Sequence, residues 1–325
     1  MTLAGDRSPS LVRCAGAPRD LGLDQGQACA LALQGLRTAL AEAAGVRELT
    51  RDLRRHFPQL AERLEGMARG ARVPVRILLV ALARELGCGA QHEPPATRAG
   101  VLWGFAPVWT GSGATLVWAA GGADAPWRVR ESRPENGLPS LEIVLPWHAG
   151  GVAGVNAAGL AVACTTLRAP LAAQPCAAPA FLLVQECLQR FESVEGAEEW
   201  CLHRPAGGRS TILLADARGG LGGVEVTGKE RERLAAPNGI LASPDAPALR
   251  PQSAAKSMAT SDSDWPTRLR QLLQQTQTQP SVFAAAPTIR AVALDARARH
   301  LWSGGSEEPL HAFAVASSAL PSAPD

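Results

Sequence analysis

The chain has 325 residues and is 46% hydrophobic, enough to bury one large core or two modest ones. Aromatics make up 4% with no tyrosine, so the core must come mainly from Leu, Val and Ala, and a net charge of +2 provides no basic field to draw nucleic acid. Residues 1–13 lack the apolar stretch of a secretory signal, no apolar run nears the roughly 20 residues of a membrane span, and seven cysteines and six histidines show neither CxxC nor HxxxH spacing, which argues against a disulfide framework or a metal centre.

The first hundred residues read as helical. Cys29, Leu33, Leu36 and Leu40 recur at helical spacing, as do Leu53, Phe57, Leu60, Leu64 and Met67, with Pro58 marking a break or restart. A third helix is expected to open near Pro74, which suits a first turn, and to run towards Leu86. Residues 88–100, containing His92-Glu93-Pro94-Pro95, read as a loop. The texture then turns to strands, with 101–109 and 115–120 flanking the hairpin signal Thr110-Gly111-Ser112-Gly113. Further strands are expected at 141–147, 150–155 and 159–167, helices at 180–191 and 194–202, and strands at 211–216 and 223–226. Residues 243–264, rich in Ser, Ala, Pro and Asp, read as a mobile loop. A short helix at 266–275 and strands at 288–294 and 311–315 close the chain. The order predicts a helical segment over 1–100 and an α+β layered core over 101–317, in one structural domain.

Several motifs, in order, resemble the isopenicillin N acyltransferase family and its bacterial relatives. A Gly-x-x-x-Gly helix start corresponds to Gly22 and Gly26. A proline-led helix ending in Gly-x-Ala-x-Gly-Ala corresponds to Pro58 and Gly66-Met67-Ala68-Arg69-Gly70-Ala71, and an Arg-x-Glu helix end to Arg84-Glu85-Leu86. An Ala-Gly, Gly-x-Asn-x-x-Gly hairpin is similar to Ala149-Gly150 and Gly154-Val155-Asn156-Ala157-Ala158-Gly159. A late strand pair is similar to Leu213–Asp216 and Val224–Val226.

The resemblance implies a four-layer αββα N-terminal-nucleophile hydrolase sandwich, with residues 1–100 equivalent to the chain that the family cleaves off. In that family a Gly-Cys bond cleaves itself, and the freed cysteine attacks linear amide C–N bonds with its own α-amine as base. The hairpin register places Gly-Cys-Thr on Val101-Leu102-Trp103, so Leu102 stands at the nucleophile position without a nucleophilic atom. The supporting Asn-x-Asp element retains Asp124 alone, and the oxyanion asparagine of the family's His-Thr-Asn-His falls near Pro244 in Leu241-Ala242-Ser243-Pro244-Asp245.

Cys88, after Gly87, is a reserve nucleophile or a cysteine at a helix end. Cys164, before Thr165 and Thr166, reads as a small hydrophobe in a strand. Thr110, Ser112 and Asn156 read as turn residues and Glu225 as structural. His148 reads as a surface or satisfied core histidine, and spacing suggests no partner for His203. Trp103, Trp109, Trp118, Trp127 and Trp147 fill the core, occlude the old pocket or rim a binding cleft. The resulting reading is a non-catalytic, uncleaved homologue that binds an unknown small molecule or protein. The alternatives are an active cysteine amidohydrolase or acyltransferase with a displaced nucleophile, and a ligand-binding module. A cytoplasmic location is expected, with no cofactor, no metal, and neither nucleic acid nor membrane as partner.

Overall fold

A strand precedes the N-terminal helices. The computed structural model describes residues 11–39, 45–85, 108–110, 115–121, 127–167, 178–227, 230–235, 289–304 and 311–315. In it β1 (Leu11–Gly16) leads into α1 (Pro18–Ala28), α2 (Ala30–Ala39), α3 (Val46–His56), α4 (Pro58–Ala71) and α5 (Val75–Glu85). Pro18 and Pro58 stand in the first turns of α1 and α4, where a missing N–H costs nothing. Pro58 therefore restarts the chain after α3, and the first hydrophobic stripe begins at Cys29, the residue between α1 and α2, and continues on α2 with Leu33 and Leu36.

The four glycines of the two N-terminal motifs have a shared physical reason. A Cβ on Gly22 would lie 2.0 Å from the Arg63 carbonyl oxygen, and one on Gly26 would lie 2.2 Å from that of Met67. Reciprocally, a Cβ on Gly66 would lie 2.1 Å from the Arg19 carbonyl oxygen, and one on Gly70 would lie 2.3 Å from that of Leu23. The crossing of α1 and α4 is thus backbone against backbone, and any side chain at these positions would force the helices apart.

The remaining elements are β2 (Val108–Thr110), β3 (Thr115–Gly121), β4 (Arg128–Pro134), β5 (Ser140–Val144), β6 (Ala153–Asn156), β7 (Leu160–Leu167), α6 (Phe181–Arg190), α7 (Val194–His203), β8 (Arg209–Asp216), β9 (Leu221–Thr227), β10 (Glu230–Arg233), β11 (Ile289–Asp295), β12 (His300–Gly304) and β13 (His311–Ala314). They form an eight-stranded sheet, β1-β4-β5-β6-β7-β8-β9-β10, and a five-stranded sheet, β13-β12-β11-β3-β2. All neighbours are antiparallel except β1, which runs parallel to β4 from Leu11↔Val129 to Gly16↔Pro134. The first hundred residues are therefore not wholly helical, because β1 carries them into the large sheet.

The fold is an α+β sandwich. Helices α1, α6 and α7 pack on the large sheet, α4 backs α1, and the smaller sheet contacts β5, β6, β7 and β8. Val155, Ala161, Leu213, Val292, Leu294 and Leu301 share one continuous hydrophobic core. These are three successive layers of the expected αββα order. Residues 266–275 (the expected late helix), 243–264 (the expected loop) and 88–100 lie outside the described residues. Strands β4, β10 and β12 join those that hydrophobic patterning predicts. Among the described residues, no helix is long and apolar enough to cross a membrane.

Candidate functional site

Pleating sorts the large sheet into two faces. Arg130 pairs with Glu142, Glu142 with Gly154, Gly154 with Val162 and Val162 with Leu214, so all five share a face. A Cβ on Gly154 would meet the Leu188 side chain of α6 at 2.7 Å, which identifies this as the helix-covered face. A polar centre is built on it. Arg130 donates from Nε to Glu142 Oε2 (2.6 Å), from Nη1 to Gln25 Oε1 (2.6 Å) and the His148 carbonyl (3.2 Å), and from Nη2 to Gln185 Oε1 (2.6 Å). Glu142 also accepts from Ser132 Oγ (2.9 Å), Ser140 Oγ (2.5 Å) and Gln185 Nε2 (2.7 Å). Both members of the ion pair are 0% exposed. Every nitrogen of Arg130 and both oxygens of Glu142 are satisfied, the condition under which a buried pair is tolerated.

Electrostatics follow from this packing. Burial opposes the Glu142 carboxylate, yet Arg130, Arg63 and the hydrogen bonds from Ser140 and Gln185 together hold its pKa below the ordinary value. Arg63 of α4 reaches Ser132 Oγ (3.0 Å) through Nη2, while Nε and Nη1 have no hydrogen-bond partner among the described residues. Burial, followed by repulsion from Arg130, lowers Arg63 to about 10.

This centre shapes the segment between β5 and β6. Gln25 Nε2 donates to the carbonyls of Pro146 (3.2 Å) and His148 (2.9 Å), and Gln185 Oε1 accepts from Gly151 N (3.0 Å). Ala149-Gly150 is held between these anchors. A Cβ on Gly150 would stand 3.2 Å from the Phe181 carbonyl oxygen, and one on Gly151 would stand 3.0 Å from Glu142 Cβ. The motif is therefore small because the loop lies flat on α6. His148 is buried and stacks on Phe181 at 4.3 Å, with Trp147 edge-on at 6.1 Å.

Asn156 is a turn residue in the structure too. Its Oδ1 accepts from Ala158 N and Leu160 N, its Nδ2 donates to the carbonyls of Leu188 and Phe191, and Gly159 takes the left-handed φ of +88° that closes the hairpin. Cys164 is buried on the helix-covered face, as a small hydrophobe would be. Glu225 is half-buried on β9 opposite Thr211, on the face turned away from α6 and α7. His203 is exposed at the end of α7, its Nδ1 2.9 Å from the Glu199 carbonyl oxygen. Trp127 is buried and Trp147 half-buried, while Trp109 and Trp118 stand in register with Leu116 and Val292 on the neighbouring strands.

Leu102, Trp103, Asp124, Pro244, Cys88 and Ser112 lie outside the described residues. Thr110 is the last residue of β2 and pairs with Thr115, so it ends the strand instead of belonging to the turn. The polar centre was not foreseen. Its signal was β4, where Arg130 and Ser132 stand two apart opposite Glu142 and Ser140 on β5, a period-two pattern of polar rather than apolar residues. Among the described residues, no three His, Cys, Asp or Glu side chains gather to hold a metal ion.

Comparison with known proteins gives distant likenesses. No protein-family model and no curated protein matches the chain. Among solved structures, a mutant of conjugated bile acid hydrolase from Clostridium perfringens aligns at 10% identity and a TM-score of 0.42, covering 65% of this chain and 92% of that one. Penicillin V acylase from Agrobacterium tumefaciens aligns at 14% identity and 0.34, covering 65% and 86%. A second variant of the Clostridium perfringens hydrolase aligns at 10% and 0.38, covering 65% and 92%. Likenesses this remote assign no activity, and the architecture rests on the strand order described above.

Proposed function

We propose that the chain is a non-catalytic homologue of acyltransferase and amidohydrolase N-terminal-nucleophile enzymes, which stays a single uncleaved chain and acts by binding a ligand or partner. The observation that carries this reading is the state of the five cysteines among the described residues, which include neither Cys88 nor Cys176. Cys14, Cys29, Cys164, Cys187 and Cys201 are all buried within the fold. Burial pushes Cys14 and Cys29 up, and the hydrogen bond to Cys201 followed by burial does so for Cys187. A nucleophile needs the opposite, an accessible sulfur whose thiolate is favoured. The sequence register that puts Leu102 at the family's nucleophile position points the same way.

The deciding experiment is the intact mass of freshly purified protein under denaturing conditions. A single species at 33.9 kDa is the expected outcome. Two fragments would overturn the reading, and a fragment beginning at Cys88 would instead establish the displaced-nucleophile enzyme. Ligand binding is checked by tryptophan emission titrated with acyl-amino acids and β-lactams. A saturable change supports a retained pocket for such molecules, and a flat response leaves a protein partner as the form of the proposal to pursue.

A further inference from the structure

Cys187 on α6 and Cys201 on α7 place their sulfur atoms 3.5 Å apart, and both side chains are fully buried. The two positions are 14 residues apart and belong to one helical hairpin, joined through residues 191–193. Cys187 Sγ also lies 3.8 Å from the Ala197 carbonyl oxygen of α7, so the sulfurs meet inside the helix crossing. A disulfide needs about 2 Å between sulfurs, and rotation about the two Cα–Cβ bonds changes this separation without requiring the helices to separate.

We propose that Cys187 and Cys201 close to an intrachain disulfide when a small disulfide oxidant such as oxidised glutathione is present, fastening α7 to α6. When the α6–α7 hairpin opens transiently and gives the oxidant access to these buried thiols, one cysteine, deprotonated, attacks a sulfur of the oxidant and expels one glutathione thiolate, leaving a mixed disulfide. The second cysteine, deprotonated in turn, attacks the protein sulfur of that mixed disulfide and expels the other glutathione thiolate. The two protons end on the two glutathione thiols. One S–S bond has formed in the protein, one has broken in the oxidant, and the chain has lost two hydrogens.

The bond would act on more than the hairpin. Helix α6 supplies Gln185 to the Arg130–Glu142 centre, and α7 supplies Trp200, whose Nε1 donates to Glu186 Oε2 at 3.0 Å. Joining the helices covalently removes the freedom of α7 to peel from the element that clamps the 145–151 segment. Because the thiolate of Cys187 is disfavoured by its hydrogen bond and burial, closure is slow at neutral pH and accelerates as pH rises.

The test uses the full chain incubated with oxidised glutathione, then denatured and treated with N-ethylmaleimide. Tryptic peptides are sequenced by fragmentation, which separates Cys187 from Cys176 in the same peptide. The expected result is a dithiothreitol-sensitive link between Cys187 and Cys201, with a melting temperature above that of the reduced chain. Cys201→Ala is expected to lose both the link and the gain. Complete maleimide labelling of both positions, a persistent glutathione adduct on either, or a link from Cys201 to another cysteine overturns the proposal.

Discussion

Two buried glutamates, Glu142 and Glu186, show how the same residue type takes opposite roles. Glu142 accepts four hydrogen bonds and its carboxyl is held low, so its contribution to stability is complete above the ordinary carboxylate range and is lost as pH falls through its folded value. Glu142→Gln leaves the Arg130 guanidinium buried without a counter-charge, and the expected loss is about 3–5 kcal/mol. Urea unfolding at neutral pH measures it, and an unchanged midpoint would remove the network from the account of the fold. At Glu186, burial outweighs Arg190, Arg204 and the Trp200 hydrogen bond, so the carboxyl is pushed up, and Oε1 has no hydrogen-bond partner among the described residues. The sign reverses: its favourable proton binding counts below the ordinary carboxylate range and is lost as pH rises through the folded value. Glu186→Gln is expected to flatten that decline, so that its melting temperature relative to the parent rises from pH 4 to pH 7. A relative melting temperature that falls over this range would show that the flanking arginines dominate instead.

At the scale of elements, the α1–α4 crossing turns a sequence pattern into a distance. Gly22→Ala and Gly66→Ala each drive a methyl into a carbonyl of the facing helix, and the expected loss is about 1–3 kcal/mol or more, since backbone cannot yield as a side chain does. Gly35 of α2 is the internal control, because a Cβ there meets nothing within 4 Å. Gly35→Ala is expected to stabilise by about 0.5–1 kcal/mol through helix propensity alone, and thermal melts of the three variants side by side check the contrast. Strands β7, β8 and β9 and helices α4, α6 and α7 are legible because their buried faces are apolar and periodic, and β5 is legible through Leu141 and Ile143 on one of its two buried faces. Strand β4, Arg-Val-Arg-Glu-Ser-Arg-Pro, is not, because its buried face is Arg130 and Ser132, and only the partners on α1, β5 and α6 make those residues interior. Strand β1 is hidden for another reason. Its pairing with β4 joins positions more than a hundred residues apart, which no local pattern encodes. The glycine and Ala-Gly motifs are plain in the sequence, but their cause, close approach to the facing helix backbone and to α6, lies in contacts between residues distant along the chain.

For the whole molecule, these contacts decide what a chain break would do. Residues 11–85 contribute β1 to the large sheet, Gln25 and Arg63 to the polar centre, and α4 to the helix layer, all held by groups that follow residue 127. Cutting the connecting segment removes covalent continuity but none of these contacts. A protease site introduced within residues 86–100 and cleaved is therefore expected to give two fragments in denaturant that still travel as one particle in native mass spectrometry. Adding Glu142→Gln to the nicked chain should let the fragments separate at lower denaturant, because Gln25 then meets an Arg130 guanidinium with no counter-charge and Ser132, which accepts from Arg63, loses its carboxylate acceptor. Spontaneous separation of the nicked parent would mean that the connection, and not the sheet and polar centre, holds the N-terminal part in place. A particle of unchanged size says nothing about the integrity of the chain, so only a denaturing mass distinguishes an uncleaved binding protein from an enzyme that has processed itself and stayed assembled.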